Sequence, residues 1–134
     1  MSLADRRGYT YGVVSNAVAS YSGKWIHVPM GASSSQLTMA LEALAMAAPY
    51  VVAPLAEVVN SERDSLPAGT TVILVTSSLS DSLLEDIAGI RVHGCRVLVL
   101  YSGDGLPDRE LGDIDVIPMY SVLDKVEAHE PAIA

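Results

Sequence analysis

Phenylalanine is absent from this 134-residue chain, tryptophan and cysteine occur once each, and 8 basic residues face 16 acidic ones. Each shortage excludes something. Half of the residues are apolar, so a core without Phe has to be built from Val, Leu, Ile, Ala and Met, which suits strands and helices packed in layers. A single thiol, Cys95, cannot close an internal disulfide or form a multi-thiolate metal site. Nothing marks an oxidising compartment, and a cytoplasmic location is expected. The net charge of -8, with a pI near 4.6, repels phosphate backbones and anionic membranes, so nucleic acid is not an expected partner.

Long hydrophobic runs are missing too. The most apolar stretch, Leu37 to Val59, is interrupted by Glu42, Pro49, Pro54 and Glu57 and does not qualify as a membrane span. The opening "MSLADRRGYT" lacks the apolar centre of a signal peptide, and its first three residues read as an expression leader. A chain of this length amounts to one domain. It shows no repeat, no low-complexity segment and no dividing linker, so residues 1–134 are expected to form a single domain.

The local patterns predict an α/β order. "YTYGVVSNA" (9–17) and "KWIHVPM" (24–30) suggest a hairpin whose second strand lies at a sheet edge, where Pro29 is tolerated. In "GASSSQLTMALEALAMAAP", Leu37, Leu41, Leu44 and Ala48 recur at helical spacing, Ser33 and Gln36 fit a capping box, and Pro49 closes the helix. Pro54 opens a further helix that carries Leu55, Val58 and Val59 and ends near Leu66-Pro67. Thr71 to Val75 is a continuous β-branched run, as expected of a central parallel strand covered on both faces. Ser80 is the expected N-cap of a helix carrying Leu83, Leu84, Ile87 and Ile90, and Gly94 is its stop. "CRVLVLYSG" (95–103) and "IDVIPM" (114–119) complete the strands, and "SVLDKVEAH" predicts a terminal helix. The sum is a mostly parallel sheet with helices.

In such sheets ligands bind beyond the carboxyl strand ends, which makes Ser15–Gly23, Thr76–Ser80 and Ser102–Pro107 the eligible loops. The last contains Gly103-x-Gly105-x-x-Asp108, a near miss to the dinucleotide fingerprint, but Pro107 leaves little room for the helix that would hold pyrophosphate. Ser77, Ser78, His93 and Asp86 supply the residue types of a hydrolase triad. No Gly-x-Ser-x-Gly elbow surrounds either serine, however, and His93 is expected about two turns away along a helix. His27 and His129 have no partner at zinc-ligand spacing, Cys95 reads as a small core residue, and the acidic stretch Asp104–Asp115 lacks calcium-loop spacing. No catalytic residue, metal or cofactor is assigned.

The order of elements, with "YTYGVVSNA", "WIHVPMGASSSQLTMALEALAMAAP", "PLAEVV" and "LPAGTTVILVTSSLSDSLLEDIAGIRVHGCRVLVLYSG", resembles the later part of the domain of unknown function family 58. That family is itself similar to von Willebrand factor type A domains. The likeness runs from about Arg6 to about Met119 and implies a three-layer Rossmann-like sheet with an antiparallel edge hairpin, truncated at the N-terminus before its first strand. A complete type A domain carries a metal-ion-dependent adhesion site, built from an Asp-x-Ser-x-Ser motif, a Thr and a further Asp. By this likeness the chain begins after the place of the first strand and its Asp-x-Ser-x-Ser motif, the loop that would carry the Thr reads Val52-Ala53-Pro54, and the strand end that would carry the Asp reads Thr76-Ser77-Ser78. Hydroxyls without a carboxylate do not compensate the dehydration of a dication. The resemblance therefore implies a degenerate adhesion site formed by Ser15, Asn16, Ala53, Thr76, Ser77 and Ser78, with no metal. It further implies a non-enzymatic protein-interaction role, a membrane-attached parent and a MoxR-type AAA+ ATPase as partner. The missing strand implies a rearranged sheet or a homodimer. The alternative is a Rossmann-like small-molecule or nucleotide-binding module using the Ser102–Pro107 loop.

Overall fold

A computed structural model of the chain describes residues 1–104 and 111–120. The protein is mixed α/β, in two compact units: one covers Met1–Ser61 and the other begins at Glu62. Each holds a three-stranded sheet, so the single sheet expected from the order of elements is realised as two.

In the first unit a one-turn helix α1 (Ser2–Arg6) precedes strands β1 (Tyr11–Ala19) and β2 (Trp25–Gly31). The two strands pair antiparallel across a turn in which Gly23 takes φ +68, and β2 lies at the sheet edge, as its Pro29 predicts. Helix α2 (Gln36–Ala45) follows, then strand β3 (Ala47–Val51). β3 is a correction to the sequence reading, in which Pro49 ends a helix. The proline instead lies within a strand that pairs antiparallel with the second side of β1, Ala17 opposite Val51 and Ala19 opposite Ala47. Both edges of β1 are thereby paired, by β2 on one side and β3 on the other.

The capping box at Ser33 and Gln36 is also corrected. The N-cap is Ser35, which makes no side-chain cap bond, and the Ser33 hydroxyl lies 3.1 Å from that of Ser35. Gln36 has a different task. The β1–β2 register shifts between Tyr11 and Val13, opposite Pro29 and Met30, and this bulge takes carbonyls out of the ladder. Buried Gln36 reaches back from α2, and its Nε2 donates to the Tyr11 carbonyl at 2.7 Å and to the Pro29 carbonyl at 3.0 Å. Gly12 fits the bulge because a Cβ there would lie 2.7 Å from the Val28 carbonyl oxygen and 3.0 Å from the Met30 nitrogen. The buried face of α2 is thus Gln36 and Ala40, packed towards β2, where Ile26 and Val28 are buried. Leu41 and Leu44, expected to face the core, are exposed.

Pro54 precedes helix α3 (Leu55–Arg63), and its carbonyl accepts from Glu57 N–H. Val58 and Val59 are the buried residues of α3. The second unit then sets β4 (Thr71–Thr76), α4 (Asp81–Val92), β5 (Arg96–Tyr101) and β6 (Asp115–Pro118) in a parallel sheet of order β4-β5-β6. α4 starts and stops where its sequence says. Ser80 Oγ accepts from Leu83 N–H at 3.2 Å. Gly94 at φ +93 ends the helix in a Schellman arrangement, in which Gly94 N–H donates to the Arg91 carbonyl and Cys95 N–H to the Ile90 carbonyl.

The sheet's buried positions, Leu74, Val97 and Val99, share one face, and α4, which packs against β5, buries Leu83, Ile87 and Ile90. The other face corrects the reading of β4 as central and covered twice. β4 is an edge strand among the described residues, and Ile73 and Val75 on that face are 60% and 55% exposed. The expected terminal helix at 121–129 lies outside the described residues. No described helix is long and apolar enough to cross a membrane.

Candidate functional site

Residues implied by the resemblance fall into two groups, one in each unit. In the first unit Ser15 and Asn16 lie within β1, not in a loop beyond it, because the strand continues to Ala19. Ser15 Oγ accepts from Ala17 N–H at 3.2 Å, next to a second register shift between Ser15 and Val18. The Asn16 side chain donates from Nδ2 to the Ala53 carbonyl at 3.1 Å, while its backbone carbonyl accepts from Val52 N–H at 2.8 Å. Asn16 therefore clips the exit of β3 to the middle of β1. Ala53 itself is buried, ahead of Pro54.

In the second unit, Thr76 closes β4 and its hydroxyl turns onto its own turn. Thr76 Oγ1 donates to the Ser78 carbonyl at 2.8 Å and lies 3.3 Å from Ser78 N–H, which it accepts. Ser77 and Ser78 are exposed, Leu79 is buried, and Ser80 caps α4. Local hydrogen bonding explains the hydroxyl-rich spelling: one alcohol folds the turn, another starts the helix, and the two between them face solvent. The residues after β5 lie beside this turn. Ser102 N–H donates to the Thr76 carbonyl at 2.8 Å, and a Cβ on Gly103 would lie 2.7 Å from the Ser77 carbonyl oxygen. Gly103 is thus a close-approach glycine. The rest of the Gly103-x-Gly105-x-x-Asp108 pattern lies outside the described residues.

Neither group contains a carboxylate, and among the described residues no cluster of three or more His, Cys, Asp and Glu could hold a metal ion. His93 is the exposed C-cap of α4, and Asp86 lies in the middle of that helix. Ser77 and Ser78 precede the same helix's N-cap, so helix α4 separates them from His93.

Charge gathers at the opposite end of the parallel sheet. Arg91 and Asp113 form a bidentate pair, Nη1 to Oδ1 at 2.8 Å and Nη2 to Oδ2 at 2.6 Å. The hydrogen bonds and positive charge of Arg91 bring the Asp113 carboxyl down to about 2 and push the Arg91 guanidinium upward in turn. With Cys95, Arg96 and Asp115 the pair lines a shallow open groove at the amino ends of β5 and β6. The pair was not visible in the sequence because its partners are 22 residues apart.

Comparison with protein-family models, with curated proteins and with solved structures finds no match.

Proposed function

We propose that the chain is a non-enzymatic protein-interaction domain of the von Willebrand factor type A-like kind, with a degenerate adhesion site that docks a protein without a metal. The observation that carries this reading is how the polar groups of the implied site are used. The Thr76 hydroxyl is taken up by Ser78 and the Asn16 amide by Ala53. What remains for a ligand is a pair of exposed alcohols, Ser77 and Ser78, suited to hydrogen bonding across a protein interface. Neutral hydroxyls do not repay the dehydration of magnesium or calcium. A charge of -8 directs the choice of partner away from nucleic acid and towards protein. The reading carries with it the three-layer Rossmann-like architecture, a membrane-attached parent, and a MoxR-type AAA+ ATPase as the partner.

The test has two arms. Calorimetric titration with magnesium and calcium is expected to give no saturable heat. Immobilised chain is expected to bind the MoxR-type ATPase equally well with and without EDTA, and Ser78→Arg should weaken that binding at least tenfold while leaving the circular dichroism unchanged. Stoichiometric metal binding, EDTA-sensitive binding, or no binding would overturn the proposal.

A further inference from the structure

One face of the parallel sheet is uncovered among the described residues. By register, Ile73 lies beside Leu98 and Val75 beside Leu100, with Ile117 beside Leu100 on the far side. Ile73, Val75 and Ile117 are exposed, and Leu98 and Leu100 are half-buried. Parallel sheets occur almost only with both faces covered, usually by helices, and α4 packs on the other face here. At its amino end the open face carries Arg96 and, beside Leu98, Asp115. One charge of each sign selects no charged partner, so size and connection decide the cover. Three strands present a face about 10 Å wide, and its two levels of apolar side chains lie about 7 Å apart along the strands. Such a patch is far smaller than the roughly 800 Å² per partner of a stable complex. A second copy, itself at a net charge of -8, is repelled besides. A single helix tied to the sheet fits the area.

We propose that the cover is the chain's own terminal segment: residues 119–130 run back across the sheet as a helix and set Met119, Val122, Leu123 and Val126 on the open face. β6 ends at Pro118, and Met119 and Tyr120 are already helical. Residues 121–134 lie outside the described residues, and it is their sequence that carries the pattern. At the helical angle per residue, Met119, Val122, Leu123 and Val126 fall within about 100° of the circumference, while Ser121, Asp124, Lys125 and Ala128 fall on the opposite side. Pro131 marks the stop. The length agrees as well, since Met119 to Val126 covers about 10 Å of helix axis, enough to span both levels of apolar side chains. Because the segment is joined to β6, it does not bear the cost of bringing two molecules together. A patch too small for a separate partner is sufficient for it.

The inference goes beyond the docking reading and does not depend on it. In the full chain with isotope-labelled methyl groups, nuclear Overhauser contacts are expected from Leu123 and Val126 to Ile73, Val75 and Leu98. Mixing labelled with unlabelled protein should show that these contacts form within single chains. Leu123→Asp should abolish them and raise ANS fluorescence about threefold, with the cooperative melt retained. Lys125→Asp, on the opposite side of the helix, should change neither. Absence of the contacts, contacts that form only between chains, or a Leu123→Asp protein with wild-type contacts and dye binding would overturn the proposal. Binding of the ATPase, measured separately, would be unaffected by that failure.

Discussion

Replacing Gln36 is the sharpest probe of how the first unit is held together. Its amide donates two hydrogen bonds to the carbonyls of Tyr11 and Pro29, which the β-bulge removes from the ladder. In Gln36→Leu both carbonyls lose the donor that buried Gln36 supplies to them at a part-buried site. Each buried unsatisfied group costs about 1–3 kcal/mol, and the added apolar burial of leucine returns about 1–2 kcal/mol. The net loss is about 1–4 kcal/mol. For a unit of 60–100 residues each 1 kcal/mol lowers Tm by about 4–8 °C. Thermal and urea melts followed by circular dichroism measure it, with an unchanged m-value showing that only stability has moved.

Gln36→Glu extends the test with a pH dependence. A carboxylate facing two carbonyl oxygens is repelled, so its pKa in the folded state is raised above the unfolded value of about 4.3. The folded state then holds its proton more tightly than the unfolded chain, and stability falls as pH rises above about 4.3. Gln36→Glu should therefore lie closest to wild type in acid and fall behind it towards neutrality. A Gln36→Leu protein as stable as wild type, or a Gln36→Glu protein with a flat pH difference, would refute the bulge-lock reasoning.

Three further expectations use the same structure. Gly12→Ala places a methyl group 2.7 Å from the Val28 carbonyl oxygen, both strands must give way, and a loss of about 1–3 kcal/mol is expected in urea melts. Ile87→Ala empties a fully buried position between α4 and the parallel sheet and should cost about 2–5 kcal/mol, read from the same melts. Asp113→Asn removes the carboxylate that Arg91 holds down to about 2. Because the folded pKa is depressed, the stabilisation is present above the unfolded value and lost as pH falls through about 2. The Tm difference between wild type and Asp113→Asn should thus be greatest above pH about 4 and shrink below it.

How much of this was readable in the sequence depended on how local the cause was. α4 was readable at both ends because Ser80 and Gly94 act within one turn of themselves. The parallel strands were readable because β-branched runs favour them whatever lies nearby. β3 was not: "AAPYV" continues the alanine pattern of the helix before it, and it becomes a strand through pairing with β1, about thirty positions earlier. The face of α2 was misjudged for a related reason. Leucine spacing pointed to the core, but the bulge in the hairpin demanded an amide, and the amide set which side of the helix turned inward. At the candidate site the Ser80 cap and the hydroxyl turn were visible beforehand. The Asn16–Ala53 bond, spanning 37 positions, was not, because only the folded sheet brings its ends together.

The Schellman stop at Gly94 leaves just Gly94 and Cys95 between the cap of α4 and the first residue of β5. Such a joint has no slack. One residue gained or lost within α4 would rotate everything after it by about 100° around the helix axis, and nothing between Gly94 and Arg96 is long enough to absorb the turn. Over evolutionary time this segment can change its letters but not its length, so descendants of the chain should vary in size elsewhere and keep the count from Ser80 to Arg96 constant.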